Sequence, residues 1–220
     1  MDLTLDKLAC RRAGRLVFNR LDFRLEAGQA AALRGPNGVG KSTLLRQLCG
    51  LIPVAGGDAR LDGVSLEGDR QGFQERVAYA GHLDAVKPAL SIGENLTLWA
   101  GIHGNDAGRA GAALARFGLD AIAGRPAAQC SAGQKRRLGL ARLLVMDRPL
   151  WLLDEPTVSL DADASALVAD LVREHVGAGG MALIATHVDL GLGDIPVLMM
   201  SAPEAGAHDA DDPFLAGAWT

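Results

Sequence analysis

The apolar residues of this chain follow two different periods. Near the N-terminus apolar and polar residues alternate, as in residues 21–25 (Leu-Asp-Phe-Arg-Leu), which predicts half-buried β-strands. Further along, continuous apolar runs predict buried strands, and helical spacing predicts helices between them. The strands predicted in this way are 30–34, 150–154, 181–186 and one near 197–200, and the helices are 132–147 and 161–176. Strands that alternate with helices of this length form right-handed βαβ crossovers, so the pattern predicts an α/β fold with a parallel sheet.

A middle stretch and a tail depart from this alternation. From about residue 75 to 124 the chain is rich in Ala, Gly and Leu and has a helical pattern, which Pro88 and several glycines divide into short pieces. From Ala202 onward four carboxylates predict a weakly ordered acidic extension. A chain of 220 residues is long enough for one domain with a sizeable core and one small subdomain.

Composition and charge exclude several classes of protein. No apolar run approaches the roughly 20 residues that cross a bilayer, and the N-terminus lacks the basic-then-apolar pattern of a signal peptide. The net charge of −4 argues against nucleic acid as a partner, because nucleic-acid-binding domains usually carry a basic excess. The three cysteines stand far apart, which is typical of reduced thiols in a cytosolic protein.

A glycine-rich loop with a Lys-Ser pair follows the strand predicted at 30–34. Its sequence, Gly-Pro-Asn-Gly-Val-Gly-Lys-Ser-Thr, fits the phosphate-binding loop pattern, and the apolar spacing in 44–48 predicts the helix that this motif requires. Glycines let backbone N–H groups converge on phosphates, and a helix start adds its positive dipole end. A glycine-rich turn that only caps a helix would not require Lys and Ser here. We therefore expect the chain to bind a nucleoside triphosphate.

Two side chains of this loop have predicted roles of their own. Lys41 can reach the β- and γ-phosphates, and the Ser42 hydroxyl can ligate Mg²⁺. The residues predicted to bind the phosphates are Gly35, Pro36, Asn37, Gly38, Val39, Gly40, Lys41, Ser42 and Thr43.

Two carboxylates end the apolar strand predicted at 150–154. The carboxyl edge of an α/β sheet is where ligands bind, which places Asp154 to hold Mg²⁺ opposite Ser42. Glu155 can polarise the water that attacks the γ-phosphate. An Asp-Glu pair that only caps a helix after a core strand is the structural alternative, and the upstream phosphate loop weakens it.

A helix start with a distinctive sequence lies between these two motifs. Ser131 and Gln134 form a Ser-x-x-Gln capping box that begins the helix predicted at 132–147. Here the chain resembles the ATP-binding cassette (ABC) ATPases, whose signature Leu-Ser-Gly-Gly-Gln is varied as Cys-Ser-Ala-Gly-Gln in residues 130–134. The resemblance implies a head-to-tail homodimer in which Ser131, Gly133 and Gln134 contact the γ-phosphate of the ATP held by the other subunit.

Further family positions follow in order. Residues 156–161 resemble the D-loop, which communicates across the dimer, and His187 matches the switch histidine that contacts the γ-phosphate. A lone histidine at a strand end is more often structural, but its spacing after Asp161 favours the functional interpretation. The resemblance extends from about residue 3 to 200 and implies catalytic roles for Lys41, Glu155 and His187.

Two positions depart from the family pattern. The aromatic residue that stacks on adenine is replaced by Arg12, whose guanidinium can stack on a base or can simply be solvated. The Q-loop glutamine, which senses Mg²⁺ and the transmembrane partner, is replaced by His82, which the resemblance therefore adds to the catalytic residues. A neutral imidazole can supply one donor and one acceptor there, and its protonation would change that role.

These departures resemble one subfamily, the ATPase subunits of bacterial cytochrome c maturation systems or "haem exporters". The similarity lies in Gly81 and His82, Lys87, the Leu-Ser-Ile-Gly-Glu-Asn-Leu segment 90–96 and the Ser-Ala-Gly-Gln signature. It implies an ATPase coupled to transmembrane transport, a translocase subunit peripheral to the cytoplasmic face of the inner membrane. Integral-membrane permease subunits would be its partners, and ATP with Mg²⁺ its cofactors.

Other functions stay open at this stage. The chain could serve another ABC exporter or a non-transport ABC ATPase, although it lacks the long coiled-coil insertion of DNA-repair relatives and the second cassette of translation factors. A nucleotide switch without turnover is disfavoured by the intact Glu155. No direct haem binding is expected, because His82, His103 and His187 are scattered along the chain.

The expected architecture combines these features. We predict a P-loop NTPase core with a parallel sheet, an N-terminal antiparallel β subdomain and an α-helical signature subdomain. A single ABC ATPase domain would occupy residues 1–201, with a nucleotide-binding core at 1–80 and 145–201 and a helical part at about 81–144. Residues 202–220 would form an acidic tail.

Overall fold

An antiparallel sheet forms the N-terminal part of the protein. The computed structural model describes residues 1–201, so the predicted acidic tail at 202–220 lies outside the described residues. The alternating N-terminal pattern predicted β-strands here, and the structure confirms them, in the order β2-β1-β4-β5. Its strands are β1 (Asp2–Arg12), β2 (Arg15–Glu26), β4 (Gly56–Leu61) and β5 (Val64–Ser65).

A second sheet is parallel throughout, with the strand order β6-β7-β8-β3-β9. Its strands are β3 (Ala30–Arg34), β6 (Val77–Ala80), β7 (Leu150–Asp154), β8 (Met181–Ala185) and β9 (Val197–Met199). The parallel sheet predicted from the apolar runs is confirmed, with strand ends within one residue of the prediction. The prediction of helix from residue 75 is wrong at β6, because pairing with β7 outweighs the local composition.

Six α-helices accompany the sheets in the described residues. They are α1 (Lys41–Leu48), α2 (Arg70–Gln74), α3 (Ile92–Ile102), α4 (Ala107–Arg116), α5 (Ala132–Met146) and α6 (Ala162–Gly177). Helices α3, α4 and α5 pack against one another, as expected of a helical part within one chain. The division of the domain at residues 80/81 and 144/145 stays a prediction.

The parallel sheet separates two hydrophobic cores. Alternate residues of β7 point to opposite faces, so that Trp151 and Leu153 pack with the helices α5 and α6, while Leu150 and Leu152 pack with α1 and the antiparallel sheet. Because both faces are covered, the first four residues of the strand are all apolar, and all five of its residues are buried. The carboxyl ends of β3, β7 and β8 meet at one edge, where the polar residues of the site begin.

Candidate nucleotide-binding site

The loop between β3 and α1 has the backbone of an anion-binding cradle. Gly35, Gly38 and Gly40 have φ values of 146°, 79° and 111°, a region that L side chains rarely adopt. Helix α1 follows directly, without a side-chain cap and without an acidic residue in its first turn. Its free N–H groups and positive dipole end are therefore available for phosphate.

Neighbouring strands enclose this loop closely. A Cβ added to Gly35 would lie 2.4 Å from the Met200 carbonyl oxygen, and one added to Gly40 would lie 2.6 Å from Cγ1 of Val17. Only glycine fits at both positions. No sequence motif predicted Val17, whose contact with Gly40 places β2 of the antiparallel sheet against the phosphate loop.

Lys41 is folded onto the loop that it follows. Its Nζ donates to the carbonyl oxygens of Gly35 at 2.7 Å and Pro36 at 3.1 Å, and the residue is only 8% exposed. Among the described residues no carboxylate forms an ion pair with this ammonium. A buried cation paired only with carbonyl dipoles leaves the loop electropositive, which favours a bound anion.

The two predicted Mg²⁺ ligands are joined across the site. The Ser42 hydroxyl donates to Oδ1 of Asp154 at 3.0 Å, although the two residues are 112 positions apart. The second carboxylate oxygen, Oδ2, accepts from the Tyr79 hydroxyl at 3.4 Å. The interaction with Tyr79 raises the pKa of Arg46, and burial raises the pKa of Tyr79. No sequence motif predicted Tyr79 or Arg46 as partners of Asp154.

Glu155 and His187 also lie side by side. Nε2 of His187 is 3.6 Å from Oε1 of Glu155, and both side chains are partly open to solvent. Glu155 has a left-handed backbone (φ 47°), and its N–H donates to the Ala185 carbonyl at 2.8 Å. This turn brings the Glu155 carboxylate, which follows β7, and the imidazole that follows β8 to the same edge of the sheet.

Ser131 and Gln134 of the signature segment hydrogen-bond each other. Ser131 accepts from the Gln134 N–H, and the Gln134 side chain accepts from the Ser131 N–H, so the predicted capping box is confirmed. A Cβ on Gly133 would lie 3.3 Å from the Ser159 carbonyl, which places this helix start beside the D-loop-like turn. Within residues 1–201 no hydrogen bond or ion pair links Ser131 or Gln134 to the phosphate loop.

The two departures from the family pattern are both on the surface. Arg12 is exposed at the end of β1, before the turn formed by Ala13 and Gly14, and His82 is exposed in the loop after β6. In the described part of the chain the structure brings neither side chain into hydrogen bonding with the phosphate loop or Asp154. Their roles stay predictions.

Two buried arginines of α5 were not predicted by any motif. Arg142 lies with its guanidinium carbon 4.5 Å from the centroid of the Trp99 ring, and burial lowers its pKa to about 10. Arg136 is 5% exposed and contacts the backbone that carries Glu155. Neither position belongs to the apolar stripe of Leu138, Ala141 and Val145, so the helical pattern of the sequence did not mark these arginines as buried.

Other chemistry is sparse in residues 1–201. No group of three or more His, Cys, Asp or Glu side chains there has the arrangement of a metal site. Burial raises the pKa of the Cys10 and Cys49 thiols, as expected of unreactive cysteines. His103 stacks on Trp99 and lies 3.0 Å from a guanidinium nitrogen of Arg148. No helix in this part of the chain is long and apolar enough to cross a membrane.

Comparison with known proteins matches this geometry to a family. The ABC transporter family matches residues 18–158. The chain is 52% identical to the cytochrome c biogenesis ATP-binding export protein CcmA of Cereibacter sphaeroides, over 97% of this chain and 98% of that protein. Its identity to the protein of the same name from Rhodobacter capsulatus is 51%, over 94% and 92% of the two chains.

Solved structures agree on the fold. The structure described as the ATP binding subunit of an ABC transporter superposes with a TM-score of 0.78, over 85% of this chain and 80% of that chain, at 24% sequence identity. That likeness shows the fold alone, whereas the relatives with about half of their residues identical show the family. The chain belongs to the ABC transporter family and, within it, to the family of cytochrome c biogenesis ATP-binding export proteins.

Proposed function

We propose that this chain is the ATP-hydrolysing subunit of an ABC export complex that serves cytochrome c biogenesis. One observation carries the proposal: the Ser42–Asp154 and Glu155–His187 pairs meet at the sheet edge where the phosphate loop begins. The names of the half-identical relatives supply the biological context.

The phosphate loop supplies the binding energy for ATP. The backbone N–H groups from Gly35 to Thr43, apart from Pro36, which has none, surround the phosphates, and Lys41 neutralises charge on the β- and γ-phosphates. The hydroxyl of Ser42 and the carboxylate of Asp154 offer Mg²⁺ the hard oxygen ligands that it prefers, already within 3.0 Å of each other. When bound there, Mg²⁺ neutralises charge that develops on the phosphate oxygens.

Hydrolysis uses the side chains of Glu155 and His187. The carboxylate of Glu155 accepts a proton from water as the water oxygen bonds to the γ-phosphorus and the bond to the leaving ADP oxygen breaks. His187, 3.6 Å from that carboxylate, donates to the γ-phosphate and orients it for in-line attack. Both groups are only partly buried, so the second subunit is needed to exclude bulk water.

A head-to-tail homodimer completes each site. Ser131 and Gly133 stand at the exposed start of the 15-residue helix α5, whose N-terminal N–H groups suit the γ-phosphate held by the partner's loop. In this arrangement Gln134 keeps Ser131 in place through the capping box. Each chain thus contributes one half to two ATP sites.

The remaining surfaces serve the membrane partners. The helical stretch 85–125 receives a cytoplasmic helix of the integral-membrane permease subunits, which hold the ATPase at the cytoplasmic face of the bacterial inner membrane. Arg12 stacks on the adenine ring. The chain itself binds neither haem nor nucleic acid. Its net charge of −4 is consistent with the absence of nucleic-acid binding.

Membrane attachment is expected to depend on those subunits. In cells that lack the permease genes, we expect the chain to move from the membrane pellet to the soluble fraction, because the described residues contain no membrane-spanning helix. Fractionation followed by immunoblotting measures the shift, with an integral-membrane protein as the control. Retention in the pellet without the permease subunits, surviving a high-salt wash, would contradict this assignment.

The role of His82 can be tested by two substitutions. We expect His82→Ala to lower the ATPase rate of the assembled complex more than it lowers ATP affinity, because a residue at the Q-loop position would act between the Mg²⁺ site and the membrane partner. His82→Gln is expected to be milder, since an amide keeps both a donor and an acceptor. ATPase rate and cytochrome c maturation are measured in parallel. Wild-type maturation in the alanine variant would show that His82 is only a surface residue.

A further inference from the structure

Arg136 is bonded to the backbone that presents the catalytic carboxylate. It is the most buried charged residue of α5, with 5% of its surface exposed. Its Nη2 donates to the carbonyl oxygens of Asp154 at 3.2 Å and Glu155 at 2.7 Å, and its Nε donates to that of Pro156 at 3.2 Å. One guanidinium therefore binds three successive carbonyl groups at the end of β7.

That turn requires an external restraint. Glu155 has φ 47°, a conformation that is unfavourable for a residue with a Cβ and that persists only where surrounding contacts impose it. Its N–H is held by the Ala185 carbonyl of β8, and its own carbonyl is held by Arg136. These two bonds fix the peptide groups on both sides of the Glu155 side chain.

The other side of the same guanidinium holds the loop after β6. Nη1 of Arg136 donates to the Gly81 carbonyl at 2.6 Å and to Oδ1 of Asp84 at 3.1 Å. His82 lies between these two acceptors. Arg136 thus bonds simultaneously to the turn that carries Glu155 and to the loop that carries His82.

Two further residues of α5 seat this loop on the same helix face. A Cβ on Gly139 would lie only 3.0 Å from Cβ of Asp84, so the loop rests directly on the helix at that point. Arg142 donates to the carbonyls of Asp84 at 3.0 Å and Tyr79 at 3.1 Å. Positions 136, 139 and 142 recur every three residues and therefore share one side of α5.

We propose that Arg136 is a positioning residue for hydrolysis, which keeps Glu155 aimed at the attacking water only while the loop at 81–84 is seated on α5. Displacing the loop withdraws Gly81 and Asp84 from the guanidinium, frees it to shift, and loosens the Glu155 turn. The inference rests on the proposed function, in which Glu155 is the base. It adds a physical connection between the loop that carries His82 and the proton acceptor.

The test compares Arg136→Gln with Arg137→Gln in the purified complex of the ATPase with its membrane subunits. Within residues 1–201 the neighbouring Arg137 donates a hydrogen bond to the Phe117 carbonyl and to no other group, so its substitution removes the same charge from the same helix without touching the Glu155 turn. We expect Arg136→Gln to lower kcat by about 10- to 100-fold, because small misplacements of a catalytic group cost this much. Its Kd for ATP should change less than about threefold, and Arg137→Gln should keep the wild-type kcat.

A double variant separates positioning from general structural damage. If Arg136 acts through Glu155, adding Arg136→Gln to a Glu155→Gln protein should cause no further loss of residual turnover. A further loss as large as in the single variant, or an equal fall of kcat and ATP affinity in Arg136→Gln, would overturn the proposal. A folded Arg136→Gln complex with wild-type kcat would do the same.

Asp84→Ala serves if Arg136→Gln fails to assemble. It removes one acceptor on the loop side and leaves the three carbonyl bonds at the end of β7 intact. We expect a smaller loss of kcat, about three- to tenfold, with unchanged ATP affinity; an unaltered kcat would overturn the proposal.

Should Glu155→Gln itself hydrolyse ATP at the wild-type rate, the proposed function fails first. Inactive Glu155→Gln beside fully active Arg136→Gln would leave that function standing and remove only this inference.

Discussion

Glu155→Gln is expected to bind ATP as the wild type does and to hydrolyse it at least about 100-fold more slowly, the usual contribution of a general base. Glutamine keeps the size and the hydrogen-bonding oxygen of the side chain but cannot accept the proton of the attacking water. Because the step before hydrolysis is unimpaired, the protein should accumulate as an ATP-bound dimer. Size-exclusion chromatography with ATP detects the dimer, and phosphate release measures turnover.

A matched control makes this result specific. Glu174 is an exposed glutamate of α6 that pairs with Arg116, so Glu174→Gln makes the same chemical change away from the site. We expect it to hydrolyse ATP at the wild-type rate and to show no trapped dimer. A Glu155→Gln protein with wild-type turnover would falsify the role assigned to this carboxylate.

Lys41→Ala is expected to weaken ATP binding itself, by about tenfold or more, since hydrogen bonds to charged groups contribute roughly 1.5–3 kcal/mol. The substitution removes the ammonium that compensates phosphate charge and also the two bonds to the Gly35 and Pro36 carbonyls that shape the loop. Turnover should be lost as a consequence. Titration with a fluorescent ATP analogue measures the Kd directly.

The contrast between the two variants is informative. Lys7 lies exposed on β1, so Lys7→Ala controls for the loss of one positive charge and should bind ATP normally. Lys41→Ala that binds ATP as tightly as wild type would remove Lys41 from the phosphate site. The geometry requires that Lys41→Ala loses ATP binding and that Glu155→Gln loses hydrolysis alone.

Much of the site could be predicted from the sequence because its parts are local. The phosphate loop needs glycines and Lys41 at fixed spacing, and the capping box of Ser131 and Gln134 lies within a single turn. The approach of Ser42 to Asp154 was predictable as well. Both follow parallel strands whose carboxyl ends share one edge of the sheet, and that topology follows from buried apolar runs.

The contacts that could not be predicted are hydrogen bonds between a side chain that belongs to no motif and backbone carbonyl groups far from it in the sequence. Arg136 is charged and stands near the start of an amphipathic helix, where a solvated position is the ordinary expectation. Its acceptors are carbonyl groups, which every residue possesses, so nothing in the sequence of 81–84 or 154–156 marks them as its partners. Tyr79 was hidden for a related reason, because its strand lies in a stretch whose composition favours helix.

The central claim is that ATP hydrolysis at Glu155 drives cytochrome c biogenesis through membrane subunits. Its most direct test replaces the chromosomal copy with Glu155→Gln or Glu174→Gln and measures covalently bound haem in c-type cytochromes, together with the ATPase rate of the complex purified from the same membranes. We predict that Glu155→Gln complexes assemble but neither hydrolyse ATP nor support haem attachment, while Glu174→Gln matches wild type in both. Normal c-type cytochromes in cells whose complexes carry an inactive Glu155→Gln would contradict the account.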